Sequence, residues 1–128
     1  MIAIPLEEEN ATTISDLFGN APYFAILNPE SGYFKVKENK GCGNGIETAQ
    51  CIKDLGAKST VFYHMGEGVF NHLNENGVKV YSSSSVYLTI EEIYRKILKN
   101  NFKLVTPSNA DNLLNPGTTS CSCECSNN

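Results

Sequence analysis

The sequence lacks the long apolar runs, basic clusters and export signals that define several protein classes. Its 128 residues contain no tryptophan, and no apolar stretch approaches the ~20 residues that a membrane-spanning helix needs. The N-terminus shows no basic segment followed by a long apolar one, so we expect no secretory signal and a cytoplasmic location. A net charge of −4 argues against a nucleic-acid partner, because such proteins contact phosphates through clustered Lys and Arg.

The length and composition predict one folded domain followed by a tail. With 41% hydrophobic residues, a chain of this size can form one core. From Thr106 onward Asn, Ser, Thr, Pro and Gly dominate, and such a composition buries too little surface to offset its ordering entropy. We therefore predict an α/β domain over residues 1–105 and a flexible, Cys-containing tail over residues 106–128.

The pattern of apolar residues predicts a mixed sheet with helices on both faces. Strands are expected near residues 2–6, 23–27, 33–36, 60–64 and 78–81, and helices near residues 46–55, 69–76 and 90–98. The turn-forming sequence Asn28–Gly32 joins strands two and three into a hairpin, while the helical crossovers make the later strands parallel. The simplest sheet has the order 3-2-1-4-5, with strand two antiparallel to the others.

In this topology, one edge of the sheet collects the ends of strands one, three, four and five. Ligands of open α/β sheets bind outside the carboxyl ends of strands where the order reverses, here between strands one and four. The same edge holds the N-termini of all three helices, which favour anions. The predicted residues of an anion-binding site at this edge are Cys42, Gly43, His64, Gly66, Glu67 and Gly68.

Three of the five cysteines lie close together near the C-terminus: Cys121, Cys123 and Cys125. Thiolates select soft metals, and the alternating spacing differs from the Cys-x-x-Cys of zinc sites. A multinuclear or thiolate-bridged metal centre, with Cys42 as a further ligand, is one interpretation. An unligated tail whose thiols merely oxidise is the other. We expect the tail to leave from the opposite edge of the sheet, and ~20 extended residues span ~65 Å, enough to reach Cys42.

Each candidate residue also has an ordinary structural explanation. Cys42 could be a plain surface cysteine, and His64 a hydrogen-bonded structural histidine. The stretch Gly66–Gly68 could be a tight strand-to-helix turn, for which glycine is common. Cys51 lies inside the first helix, where core packing is more common than ligation. His72 is expected on the surface of the second helix.

Several stretches carry a resemblance to a known family, namely Ile2–Pro5, Ser15–Phe24, Gly41–Gly45 and Met65–Gly68. Through them, residues 1 to about 100 resemble the dinitrogenase iron–molybdenum cofactor biosynthesis and binding family. The resemblance implies a ribonuclease H-like α/β fold. It also implies a role in carrying metal–sulfur clusters or cofactor precursors, as in some relatives. The tail lies outside the family's common core.

Three functions follow from these observations. The first is a non-enzymatic carrier of an anionic metal–sulfur cluster, with iron–sulfur or molybdenum-containing cargo and with cluster donor and acceptor proteins as partners. The alternative is a partner-binding adaptor whose cysteine tail delivers metal or thiols, without a small ligand on the folded domain. A nuclease of the ribonuclease H type is disfavoured, because that chemistry needs several carboxylates on the sheet. Strand one supplies none, and His64 stands where strand four would supply an acid, so we predict no catalytic residues.

Overall fold

The computed structural model describes residues 1–83 and 88–114. The elements in chain order are β1 (Ile2–Leu6), β2 (Tyr23–Leu27), β3 (Phe34–Glu38), α1 (Gly45–Asp54), β4 (Ser59–Phe62), α2 (Glu67–Glu75), β5 (Lys79–Ser82), α3 (Ile90–Leu98), β6 (Lys103–Leu104) and α4 (Ala110–Leu113). Within the described ranges, no helix has both the length and the apolar character that crossing a bilayer requires.

The strands form a single mixed sheet in the order β3-β2-β1-β4-β5-β6. Strand β2 is antiparallel to β1 and β3, whereas β4 is parallel to β1 and β5. The predicted order 3-2-1-4-5 is therefore confirmed. Strand β6 was not predicted from the sequence; it pairs antiparallel with β5 through Leu104 and Tyr81. Two exposed residues leave no periodic apolar signal, and the pairing depends on backbone hydrogen bonds instead.

The helices cover both faces of the sheet, as predicted. Apolar residues of α1 and α2, such as Ile52 and Phe70, form one core with one face of the sheet. Residues of α3, including Ile90 and Ile93, form a second core on the opposite face. Strand β1 is buried along its whole length, because it lies in the centre of the sheet with helices on both faces. A strand in this position has a nearly continuous apolar sequence.

The three long helices differ in how they begin. The Asn44 side chain caps α1 by accepting a hydrogen bond from the Glu47 N–H at 3.0 Å. Helix α3 begins with a reciprocal capping box between Thr89 and Glu92, and these hydrogen bonds from Thr89 lower the pKa of the Glu92 carboxyl. Gly66 is the N-cap residue of helix α2, and no side chain among the described residues caps this helix.

The ordered chain continues beyond the predicted boundary at residue 105. Val105, Ala110 and Leu114 are all buried in the core that α1 and α2 share. The short helix α4 spaces Ala110 and Leu114 four residues apart, so that both face the same core. The strongly polar average composition of this stretch concealed those two apolar positions from the sequence analysis.

The point at which the chain passes out of the described region also differs from the prediction. The carbonyl oxygen of Leu114 accepts a hydrogen bond from the Met65 N–H at 3.0 Å. Met65 lies in the connection between β4 and α2. Leu114, the last described residue, is therefore next to this connection and not at the opposite edge of the sheet. The predicted metal ligands Cys121, Cys123 and Cys125 lie outside the described residues.

Candidate ligand-binding rim

Three connections meet where β1, β3 and β4 end, and we call this edge the carboxyl rim. It comprises residues 7–22, 39–44 and 63–66. The Phe18 N–H donates a hydrogen bond to the His64 carbonyl at 3.2 Å, and the Gly43 N–H donates one to the Gly19 carbonyl at 2.9 Å. Backbone bonds therefore fasten the first loop to both of the others, as the predicted topology requires.

A shallow cavity of about 150 Å³ opens at the carboxyl rim. Residues 17–20, residues 64–66 and Val69 line it. It lies between the ends of β1 and β4, where the strand order reverses and where ligands of open α/β sheets bind. A larger cavity of about 510 Å³ occupies the opposite edge, near Lys58 and Lys79. Because the rim cavity is small and open, a cluster bound there would stay partly exposed.

The first turn of α2 borders this cavity and offers backbone donors. The first N–H groups of an α-helix have no partner within the helix. In α2 these belong to Glu67, Gly68 and Val69, since the first intrahelical bond runs from the Phe70 N–H to the Gly66 carbonyl. In α1 and in α3, a side-chain cap occupies one of the corresponding donors, the N–H of Glu47 and the N–H of Glu92 respectively. Helix α2 is therefore the one of the three best placed to bind an anion.

Close packing explains the glycines of the second loop better than contact with a ligand. A Cβ atom on Gly45 would lie 2.3 Å from Cγ2 of Val69, and one on Gly41 would lie 2.5 Å from the backbone of Glu47. Gly43 has φ +92°, a conformation that side chains disfavour, and its N–H already bonds to the first loop. The predicted anion contact of Gly43 would require that hydrogen bond to break.

A buried polar side chain holds the Cys42 loop in place. Asn39 is 4% exposed, and its amide group donates to the Ala21 carbonyl at 2.7 Å and to Thr48 Oγ1 at 2.9 Å. Its oxygen accepts from the Gly41 N–H at 2.9 Å. This hydrogen-bond network was not predicted from the sequence, because an asparagine after a strand is also a common turn residue.

The two soft-metal ligands predicted in the folded domain flank the cavity. The exposed Cys42 thiol donates to the Asn20 carbonyl at 3.4 Å, and Asn20 lines the cavity. His64 is half-buried and lines the cavity directly. Across the described ranges, no three His, Cys, Asp or Glu side chains converge as a metal-binding group would. Cys42 and His64 therefore form at most part of a ligand set.

Comparison with known proteins shows which family the chain belongs to. Residues 1–100 match the family described as "Dinitrogenase iron-molybdenum cofactor". The chain belongs to this family. No curated protein sequence matches it.

Solved structures of related fold include the apo form of the orange protein from Desulfovibrio gigas. It superposes with a TM-score of 0.72 over 82% of this chain and 92% of that chain, and at 21% identity it shows the fold alone. A NifB-like protein from Thermotoga is 28% identical, with a TM-score of 0.66 over 80% of this chain and 90% of that chain. A dinitrogenase-like protein from Methanocaldococcus jannaschii is 12% identical, with a TM-score of 0.62 over 82% and 93%.

In this family member, the predicted site residues occupy different positions relative to the cavity. His64 and Gly66 line it, whereas Glu67 and Gly68 are exposed in the first turn of α2 and are absent from the lining. The lining residues 17–20 and Val69 were not predicted as site residues. Residues 17–20 belong to the stretch Ser15–Phe24 that carries the family resemblance, and their place after β1 was the available signal.

Of the other His and Cys residues that the structure describes, His72 and Cys51 are absent from the cavity lining. His72 is half-buried, and its Nε2 atom is buried without a hydrogen-bond partner among the described residues. The predicted surface histidine is therefore only partly exposed. Residue His72 lies on α2, one face of which packs against the sheet. Cys51 is half-buried on α1, and its thiol lies 4.0 Å from the Glu38 carbonyl. It belongs to neither core cluster, so its packing role stays a prediction.

Proposed function

We propose that this protein is a non-enzymatic carrier of an anionic metal–sulfur cluster or cofactor precursor of the iron–molybdenum type, bound at the carboxyl rim. Family membership supports the class of cargo. The observation that carries the proposal is the uncapped start of α2 beside a cavity at the strand-order switch. Proteins that donate and accept the cluster are the implied partners.

The N–H groups of the first turn of α2 are the proposed anion contacts. Sulfide or oxide atoms of the cargo would accept hydrogen bonds from Glu67, Gly68 and Val69, with the helix dipole adding a favourable field. Hydrogen bonds to a charged acceptor contribute about 1.5–3 kcal/mol each. The exposed Glu67 carboxylate weakens the binding of an anion, because its own negative charge lies in the same turn of the helix.

His64 and Cys42 are the proposed soft ligands on either side of those donors. A neutral imidazole binds transition metals, and a thiolate selects soft ones. The site is open on one side, so the cargo remains accessible to a second protein. A carrier needs this property, because binding must be tight enough for capture and weak enough for release.

Two substitutions at Glu67 test the backbone contact. Proline is tolerated at the first position of a helix and removes one N–H group. Gly66 has φ −74° and ψ 154°, which is the extended conformation that a following proline requires. Glu67→Pro and Glu67→Gln both remove the negative charge, but only Glu67→Pro also removes the donor. Comparing the two variants therefore isolates the hydrogen bond.

The assay is anaerobic titration with tetrathiomolybdate, followed by its visible absorption and by equilibrium dialysis. We expect Glu67→Gln to bind more tightly than the wild type, and Glu67→Pro to bind at least about tenfold more weakly than Glu67→Gln, as the loss of one charged hydrogen bond implies. Equal affinity of the two variants would remove the backbone contact from the account. Absence of saturable binding by the wild-type protein would remove the proposed function.

A further inference from the structure

We propose that the cavity at the edge opposite the carboxyl rim binds a small organic phosphate with a planar aromatic ring, such as a mononucleotide. We call it the amino-edge cavity, and its volume of about 510 Å³ is typical of small-molecule sites. The inference does not depend on the proposed function, because it concerns a different site and a different class of ligand. The lining residues that carry it are Ile2, Lys58, Lys79, Tyr81, Ile97 and Phe102.

The amino-edge cavity lies where three adjacent strands begin and α3 ends. Ile2 begins β1, Lys58 immediately precedes β4, and Lys79 begins β5. The Lys58 N–H donates a hydrogen bond to the Met1 carbonyl, and the Lys79 N–H donates one to the Lys58 carbonyl, both at 3.0 Å. These backbone bonds place the two lysines on neighbouring strands, which lie about 4.8 Å apart.

Unpaired positive charge is concentrated at this cavity. Within the described part of the chain, neither the Lys58 nor the Lys79 side chain forms an ion pair or a hydrogen bond. None of the described lining residues is Asp or Glu. Lys96 adds a third ammonium group nearby, since its Nζ lies 5.9 Å from the centroid of the Phe102 ring. Ammonium groups on neighbouring strands repel each other, and a bound phosphate relieves this repulsion, because lysine binds phosphate as a point charge.

Aromatic and aliphatic side chains form a wall beside these charges. Lys79 and Tyr81 are two residues apart on β5, so their side chains lie on the same face of the sheet. Tyr81, Ile97 and Phe102 pack against the core that α3 forms with that face, and each is only half-buried. Aromatic side chains stack on the face of any nucleobase. The wall and the lysines therefore suit the two halves of a ligand that has a ring and a phosphate.

The C-terminal end of α3 does not prevent an anion from binding. Carbonyl groups at the end of a helix carry partial negative charge. The last of these in α3 already accept hydrogen bonds, because the N–H groups of residues 99–101 donate to the carbonyls of Arg95, Lys96 and Ile97. The exposed Asn100 side chain lines the cavity and has no hydrogen bond within the described ranges. Its amide is therefore available to donate to a phosphate.

The charge of the whole chain restricts the ligand to a small anion. The net charge is −4, so a long polyanion would be repelled by acidic surface beyond the cavity, whereas a single phosphate group contacts the cavity alone. Among the described residues that line it there is no Cys and no His, the side chains that a soft metal would need. A small organic phosphate therefore fits this cavity better than a nucleic acid or a metal cluster does.

The first test compares three probes by calorimetric titration of the full-length protein without cargo. The probes are adenosine monophosphate, adenosine and inorganic phosphate. We expect the nucleotide to bind saturably and each of the other two to bind at least about fivefold more weakly, because one lacks the charge and the other lacks the stacking ring. Absence of saturable nucleotide binding, or equal affinity for the nucleotide and either other probe, overturns the inference.

The second test removes the charges of the cavity. Lys58→Gln/Lys79→Gln should bind adenosine monophosphate at least about tenfold more weakly than the wild type, as the loss of charged contacts implies. Lys35→Gln/Lys37→Gln is the matched control, because it removes the same charge from exposed positions of β3 outside the cavity. The control should bind as the wild type does. Equal weakening of both variants, or wild-type affinity in the cavity variant, overturns the inference.

An amide NMR titration with adenosine monophosphate locates the bound nucleotide. We expect the chemical-shift changes to concentrate at Ser59, Tyr81 and Phe102, which line the amino-edge cavity, and to leave Gly19 and Gly66 of the carboxyl rim unchanged. Changes concentrated at the carboxyl rim overturn the inference. Because no cargo is present in these tests, their failure would leave the proposed function standing.

Discussion

The contact between Gly45 and Val69 makes a sharp prediction about how the carboxyl rim is assembled. Gly45 begins α1, and Val69 lies in the first turn of α2 and lines the cavity. In Gly45→Ala, the new Cβ atom would lie 2.3 Å from Cγ2 of Val69. Attractive contact between carbon atoms begins at about 3.5 Å. The two helix starts must therefore move apart by about 1 Å, or Val69 must rotate.

The expected cost combines two opposing effects. Valine is restricted to essentially one χ1 rotamer in a helix, so rotation gives little relief. Overpacking of this kind costs about 1–3 kcal/mol, whereas alanine in place of glycine in a helix gains about 0.5–1 kcal/mol. We expect Gly45→Ala to lower the free energy of unfolding by about 1–2 kcal/mol.

A double-mutant cycle measured by urea denaturation isolates the contact. Val69→Ala removes the clashing methyl group, so adding Gly45→Ala to Val69→Ala should cost nothing or stabilise slightly. The predicted coupling energy is about 1–2 kcal/mol, within the range for residues in contact. Gly68→Ala is the matched control, because its Cβ atom would meet nothing within 4 Å.

Two results would refute this reasoning. One is a Gly45→Ala protein as stable as the wild type. The other is strict additivity of the two substitutions, since it would mean that the cost of the alanine does not come from Val69. Either outcome would remove the rigid contact between α1 and α2 from the description of the rim.

Three further predictions concern single residues. Gly68→Ala should raise the free energy of unfolding by about 0.5 kcal/mol in urea denaturation, because helical glycine is unfavourable and the site is open, and lower stability would contradict this. Asn39→Ala should lower the free energy of unfolding by about 2–4 kcal/mol in the same assay, because it leaves buried partners without hydrogen bonds. A measured cost below about 1 kcal/mol would show that water replaces the amide. Folding lowers the pKa of the Glu92 carboxyl. The ionised carboxylate therefore stabilises the folded protein at pH values above the pKa that Glu92 has in the unfolded chain. This contribution is lost as the pH falls through the lower pKa of Glu92 in the folded protein. The stability difference between wild type and Glu92→Gln should therefore shrink between pH 7 and pH 3, values that bracket the usual Glu pKa of about 4.3, and a constant difference would contradict the prediction.

The sheet was predictable because its signals are local and strong. The apolar run of β1, the hairpin turn at Asn28–Gly32 and the capping box at Thr89 each specify an element from neighbouring residues. Strand β6 and helix α4 were missed because each is very short and is stabilised by pairing or packing with distant residues. Val105 illustrates this, since its N–H bonds to the Val80 carbonyl at 2.8 Å.

The candidate site was only partly predictable, for a related reason. The topology correctly placed His64 and Gly66 at the switch between β1 and β4. It could not show that Gly43 already uses its N–H, or that Gly45 is a packing residue, because both depend on how closely loops approach each other. The contact between Leu114 and Met65 was equally hidden, since it joins residues far apart in sequence.

The most direct test of the account is an amide NMR titration of the full-length protein with tetrathiomolybdate under argon. The account predicts that chemical-shift changes concentrate at Gly19, His64, Gly66 and Val69, with little change at Gly77 on the opposite edge. Unchanged rim signals, or changes confined to the cavity near Lys58 and Lys79, would contradict binding at the carboxyl rim.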